Sequence, residues 1–147
     1  MGMADAEYDV AIVGGGAAGM TAGLYACRAG LKSVVLERMM PGGQVVNAEK
    51  IENLPGFPDG IAGADLGPLL QEQATRYGLE VQRSDVMGLE PGKPYLTVGA
   101  SEGEVEAKSV IVAGGSTLRK LRVPGEDRLH GAGVSYCDTC DGAFFLD

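Results

Sequence analysis

The chain has 147 residues, 45% of them hydrophobic and 22% charged, with a formal net charge of −8. That size and balance suit one globular domain with a substantial core, and the acidic surplus, without clustered Lys or Arg, argues against nucleic acid as a partner. No apolar run approaches the roughly 18–20 residues that span a bilayer, and Met1–Glu7 lacks the basic start of a signal peptide, so the expectation is a cytoplasmic protein with no membrane partner.

Tyr8–Val13 is a short apolar, β-branched run closed by Gly14, the pattern of a buried parallel strand. Ala17 to Ala29 is rich in Ala, Met and Leu and stops at Gly30, which predicts a helix with a glycine stop. Ser33–Leu36 predicts a second buried strand, so the opening reads as one βαβ unit. Residues 38–63 are rich in proline and glycine and read as a loop. They also carry Val45, Val46, Ile51, Leu54 and Phe57, which points to an ordered loop lining a ligand. Ala64–Tyr77 predicts a helix, with Leu66, Leu69, Leu70, Ala74 and Tyr77 spaced at three and four. Leu79–Val81 and Tyr95–Val98 resemble strands, and Val105–Ala113 reads as a strand running into a core before Gly114-Gly115. Residues 116–127 form a polar connector, and 133–147 carry a cysteine pair. The predicted organisation is a domain over 1–115, then a connector and the start of a further domain over 116–147.

Gly14-Gly15-Gly16-Ala17-Ala18-Gly19 is a G-x-G-x-x-G turn between the first strand and the first helix. Gly14 lets the chain turn, Gly16 lets backbone amides approach a pyrophosphate, and Gly19 lets helix and strand pack closely. The helix start, at Ala17 and Ala18, then offers unpaired N–H groups to that anion. Glu37 ends the second strand about 20 residues on, where an acid binds ribose hydroxyls. The bland alternative is a glycine-rich turn with no ligand. An adenine dinucleotide fits better, and the turn's chemistry does not separate FAD from NAD.

Cys137-Asp138-Thr139-Cys140, followed by Asp141, is a C-x-x-C. Two sulfurs at that spacing can close a small disulfide ring in which one thiol has a lowered pKa, and Asp141 can exchange a proton with a departing thiolate. A zinc site or a pair of inert buried cysteines stays open, although a structural zinc wants four ligands and only Cys27 and the single His130 remain. Cys27 reads as a small core residue and His130 as an ordinary loop histidine.

Taken together, the early glycine turn, Gly42-Gly43-Gln44, Ile51-Glu52-Asn53-Leu54-Pro55-Gly56, the strand end at Ala113-Gly114-Gly115, Leu121–Glu126 and Gly133–Gly142 resemble the low-molecular-weight thioredoxin reductase family over essentially the whole chain. The larger glutathione-reductase type has its cysteine pair near position 40, where no cysteine stands here. The resemblance implies an α/β, Rossmann-like FAD-binding domain with a central parallel sheet and additional β-strands, incomplete at its C-terminal end. It implies FAD extended along the turn, with Glu37 on its ribose, Gly43, Gln44 and Asn53 near the flavin ring, Gly42 also among the cofactor-binding residues, and backbone at Val86, Ala113 and Gly114 near the adenosine. It further implies NADPH as reductant of the flavin, Cys140 as the sulfur nearer the flavin, Asp141 as the acid, thioredoxin as the recipient of electrons, two alternating domain orientations and a homodimer.

Three departures qualify it. Gly114 stands where the family usually has Thr, and Asp138 stands where it commonly has Ala, adding negative charge that raises a thiol pKa. The chain also stops at Asp147, before the family's NADPH domain and the segment that closes over the flavin. The expectation is therefore weak FAD retention and no activity of the chain alone. Rival readings are a non-catalytic or partner-complemented FAD-binding module, and a reductase for another disulfide or with ferredoxin as donor.

Overall fold

The apolar run at the start folds as β1 (Tyr8–Val13), buried as a central parallel strand must be. The computed structural model describes residues 6–137, and the chain divides into two compact units, Met1–Gly115 and Ser116–Asp147. In the first unit β1 is followed by α1 (Ala17–Arg28), β2 (Ser33–Glu37), α2 (Gly63–Thr75), β3 (Glu80–Arg83), β4 (Val86–Pro91), β5 (Leu96–Ala100) and β6 (Gly103–Val112). The helix α1 stops as the glycine signal requires. Gly30 takes φ +81°, its N–H donates to the Cys27 carbonyl, and the Leu31 N–H donates to that of Ala26.

The strands make one six-stranded sheet in the order β3-β2-β1-β6-β5-β4. β1 is parallel to β2 and β6, and β2 is parallel to β3, whereas β5 runs antiparallel to β4 and β6. The long strand β6 serves both parts: residues 103–107 pair with β5 and residues 107–112 with β1. The α/β class, with a parallel centre and added strands, is as the sequence predicts.

Alternation along β1 and β2 divides the core in two. Val10, Ile12 and Val35 pack with Met20 of α1, Ala74 of α2 and Leu79. Ala11, Val34 and Leu36 face the other way, against Val98 of β5 and Val105 and Ala107 of β6. Both faces of the parallel strands are thus covered, which is why they read as unbroken apolar runs.

Several details differ from expectation. β4 was not foreseen; it holds Gly88 and Pro91, is almost wholly exposed and carries an irregular register between Val86 and Gly88, as an edge strand tolerates. The loop over 38–63 contains a 3-10 turn, Gly43–Asn47, and is pinned by a two-way Ile51–Ile61 bridge with N···O distances of 2.8 and 3.0 Å. In α2, Leu66 and Ala74 are buried as the spacing predicts, but Leu69 is exposed, and the helix ends at Thr75, leaving Tyr77 exposed beyond it. The end of β6 enters the core only in part: Val110 and the following Ala113 pack against the two clusters, whereas Val112 is 73% exposed.

The second unit has an extended connector, the one-turn α3 (Glu126–Leu129) and a bridge between His130 and Val134. Cys140 and Asp141 lie outside the described residues. Among the described residues no helix is long and apolar enough to cross a membrane.

Candidate functional site

The strand order makes β1 a switch point. The chain leaves β1 through α1 to β2 on one side, while β6 flanks the other side. In an open α/β sheet the crevice beyond the carboxyl ends of two such strands is where ligands bind. Here it opens after Val13 and Val112, whose strands stay joined by a 2.8 Å bond from the Ala113 N–H to the Val13 carbonyl.

The glycine turn sits at this point. Gly14 has φ +98°, and a Cβ on it would lie 2.4 Å from the Ala113 carbonyl oxygen. A Cβ on Gly19 would lie 1.8 Å from the Gly14 oxygen, so the first turn of α1 presses directly on the end of β1. Gly16 caps α1 with no side-chain bond, and the first turn holds no acidic residue. Ala17 and Ala18 are exposed. The helix start therefore presents bare N–H groups and the positive end of its dipole to an approaching anion.

The loop after β2 completes the rim. The Gly42 N–H donates to the Gly15 carbonyl at 2.8 Å, Gly42 bridges Gly16, and a Cβ on Gly43 would lie 3.1 Å from the Gly16 Cα. Gly67 was not foreseen as part of this arrangement. It lets α2 approach the loop, since its Cβ would stand 2.6 Å from the Pro41 oxygen and 3.3 Å from the Gly42 Cα; the Gly63/Gly67 pair, four residues apart, was the available signal. Gln44 and Asn53 are both exposed on this loop, Asn53 on the wall of a shallow concavity formed by residues 52–58.

Glu37 closes the other side. Its carboxylate accepts the Gly15 N–H at 2.6 Å and the Met39 N–H at 2.9 Å. An ionised carboxylate offers about four acceptor positions, so two amides leave room for hydroxyl donors. The Ser84 N–H donates to the Glu37 carbonyl at 3.0 Å, and Val86 opens β4 two residues later. Gly14, Gly16, Gly19, Glu37, Gly42, Gly43 and Ala113 are thus brought together by direct contacts, while Gly114 follows Ala113 as an exposed residue. This arrangement fits a dinucleotide: a passage that any Cβ would narrow, bare amides for a diphosphate, and an acid beside them for a ribose.

In the second unit Cys137 is disulfide-bonded and its N–H donates to the Ser135 hydroxyl at 3.0 Å. Cys27 is a free thiol packed at the margin of the helical core. Glu126, quoted in the sequence only as part of a motif, is buried at 4% exposure. It accepts from the Leu121 N–H at 2.8 Å, from the Arg122 N–H and from the Tyr136 hydroxyl.

Residues 8–146 match the pyridine nucleotide-disulphide oxidoreductase family. A thioredoxin reductase of Bacillus subtilis is 47% identical over 138 residues, which cover 94% of this chain and 43% of that protein. The crystal structure of thioredoxin reductase from Streptococcus pyogenes superposes with a TM-score of 0.84 at 43% identity, covering 98% of this chain and 47% of that one. That of Lactococcus lactis thioredoxin reductase gives 0.79 at 42% identity, covering 96% and 46%. The chain spans less than half the length of these relatives.

Proposed function

This chain belongs to the pyridine nucleotide-disulphide oxidoreductase family, and from that premise we propose that it is the FAD-binding front part of a thioredoxin reductase-type flavoprotein. In this reading residues 1–115 bind FAD, and residues 116–147 form the connector and the start of an NADPH domain. Electrons pass from NADPH through FAD to a Cys137–Cys140 disulfide, and on to thioredoxin or a similar protein. The observation that carries it is the uncapped start of α1, framed by Gly14, Gly16, Gly43 and Glu37. A non-catalytic module is not favoured, since the relatives at 47% identity carry the name of the enzyme.

Bound flavin supplies the two-electron carrier between a nicotinamide and a disulfide. The chain's own residues do the rest. The amides of Ala17, Ala18 and Gly19 bind the diphosphate, and Glu37 orients the ribose while its bonds to Gly15 and Met39 fix the carboxylate. The Gly42–Gln44 corner and Asn53 bound the ring, and Val86, Ala113 and Gly114 face the adenosine end. Two electrons entering the disulfide break the S–S bond, and Asp141 delivers a proton to the sulfur released next to it. The remaining thiolate attacks one sulfur of a thioredoxin disulfide to give a mixed disulfide and release a thioredoxin thiolate. The second Cys resolves it as its thiol proton passes to thioredoxin, solvent supplies the other proton, and thioredoxin leaves as a dithiol while the Cys137–Cys140 disulfide re-forms. A reducing cytoplasm fits this chemistry; a homodimer for the complete protein is carried over from the family resemblance.

A chimera tests the reading. With this chain replacing the matching residues of a 47%-identical relative, NADPH-dependent reduction of thioredoxin is expected. Cys140→Ser should abolish it while NADPH oxidation by a one-electron dye persists. Thioredoxin reduction surviving Cys140→Ser would remove the cysteine pair from the reaction.

A further inference from the structure

Glu126 is the only charged residue buried among the described residues, at 4% exposure. A buried charge is tolerated when its lone pairs are filled by good donors. Here Oε1 takes the Leu121 N–H and the Tyr136 hydroxyl, and Oε2 takes the Arg122 N–H. The backbone donors all belong to the connector, where the Val123 N–H adds to those of Leu121 and Arg122. The side-chain donor, the Tyr136 hydroxyl, belongs to the residue immediately before Cys137.

The local backbone is bent to make this possible. Arg122 has φ +60°, the only non-glycine residue in the left-handed region among those described, and Gly125 turns at φ +90° into α3. The returning strand is tied back as well: the Val134 N–H donates to the Leu129 carbonyl at 2.9 Å, and the Tyr136 ring packs on His130 with centroids 5.1 Å apart. The Glu126 carboxylate therefore lies between the way into the turn and the way out of it toward the sulfur. Hydrogen bonding by Tyr136, and then by the backbone amides, holds its pKa below the ordinary value, while the same bond pushes the Tyr136 hydroxyl up to about 12.

We infer that Glu126 is a positioning residue for the redox pair: with Tyr136 it fastens the segment entering Cys137 to the connector, in the arrangement that favours the disulfide. The inference rests on the proposed role of the cysteines. A contact present when Cys137 is disulfide-bonded, and loosened when the sulfurs part, shifts the equilibrium toward the oxidised form by its own differential free energy.

The test is a redox titration of the 147-residue chain in glutathione buffers, with free thiols trapped by alkylation and counted by mass. Two glutathione molecules give two electrons and two protons to the protein disulfide; its S–S bond breaks to two thiols, and the glutathiones join as their own disulfide. Tyr136→Phe removes the hydroxyl and leaves the connector amides paired. Glu126→Gln keeps the shape but turns an amide donor toward an N–H donor. Each is expected to shift the equilibrium constant about five- to tenfold toward the dithiol, a tenfold shift being about 30 mV for this two-electron couple. The double variant should shift it no further than the larger single change. A merely structural role would lower the thermal midpoint and leave the potential unmoved. A wild-type equilibrium in folded Tyr136→Phe, or additive shifts in the double variant, would overturn the inference; if Glu126→Gln fails to fold, Tyr136→Phe alone decides. Wild-type cysteines that form no reversible disulfide in these buffers would instead sink the proposed cysteine chemistry, and the inference with it.

Discussion

The backbone N–H of Gly15 donates to Oε2 of Glu37 across 2.6 Å, joining residues 22 positions apart in the chain. This bond sets the acid at the end of β2 against the turn after β1. A Cβ at Gly15 would fall 2.9 Å from that of Glu37, so the closeness depends on glycine as much as on the bond. Glu37→Gln should keep one acceptor and turn its amide against an N–H group, costing about 1–2 kcal/mol of stability and about tenfold in FAD affinity. Urea denaturation and flavin fluorescence quenching read the two effects separately, and unchanged affinity would free Glu37 from the ribose role.

Two glycines of the first βα unit should behave differently for a stated reason. Gly19→Ala places a methyl 1.8 Å from the Gly14 oxygen, so helix and strand must separate; a loss above about 3 kcal/mol is expected. Gly30→Ala meets nothing within 4 Å but must hold φ +81°, which costs about 1 kcal/mol. Urea midpoints of the two variants test the order.

Burial also separates two apolar positions at strand ends. Leu36 is 1% exposed, in the core shared with β5 and β6, whereas Val112 is 73% exposed. Leu36→Ala should cost about 2–5 kcal/mol and Val112→Ala under about 0.5 kcal/mol. Equal losses would mean that the end of β6 is covered in solution.

The edge of the sheet carries a pH signature. Glu80 accepts the Tyr8 hydroxyl at 2.7 Å and the Gln82 amide at 2.8 Å; the Gln82 bond first, then Tyr8, holds its carboxyl below the ordinary 4.5. Burial, then Glu80, pushes the Tyr8 hydroxyl well above its usual range. A folded-state pKa below the unfolded one gives stability that is complete above about 4.5 and lost as pH falls through the folded value. The stability gap between wild type and Glu80→Gln should therefore be constant from pH 6 to 8 and close below about pH 4.5. A gap that stays the same size as pH falls into full acid, or that widens below about 4.5, would contradict the assignment.

Much of the first unit was legible because its signals are local. A six-residue apolar strand, a glycine turn and a helix stopped by Gly30 each dictate their own backbone, and the unbroken apolar character of β1 and β2 reports cover on both faces. β4 was invisible because an edge strand with Gly88 and Pro91 has no apolar alternation to betray it. The end of β6 misled because an apolar run says what wants burial, not what covers it. Gly67 was passed over because it acts by close approach to Pro41 and Gly42 in a distant loop, and Glu126 because it gathers donors from both sides of its own turn at no regular spacing. Sequence spacing does not reveal such meetings.

In the proposed function the bare start of α1 holds the diphosphate of FAD. Amide spectra of the 15N-labelled chain, recorded as FAD is added, test it most directly, because they register weak as well as tight binding residue by residue. The amides of Gly15 to Gly19, Met39 and Gly43 should shift along one saturating curve, and an Ala17→Glu variant, with an acid beside those donors, should lose the response. Saturable shifts elsewhere, with the amides of residues 15–19 unmoved, would place the diphosphate away from the helix start.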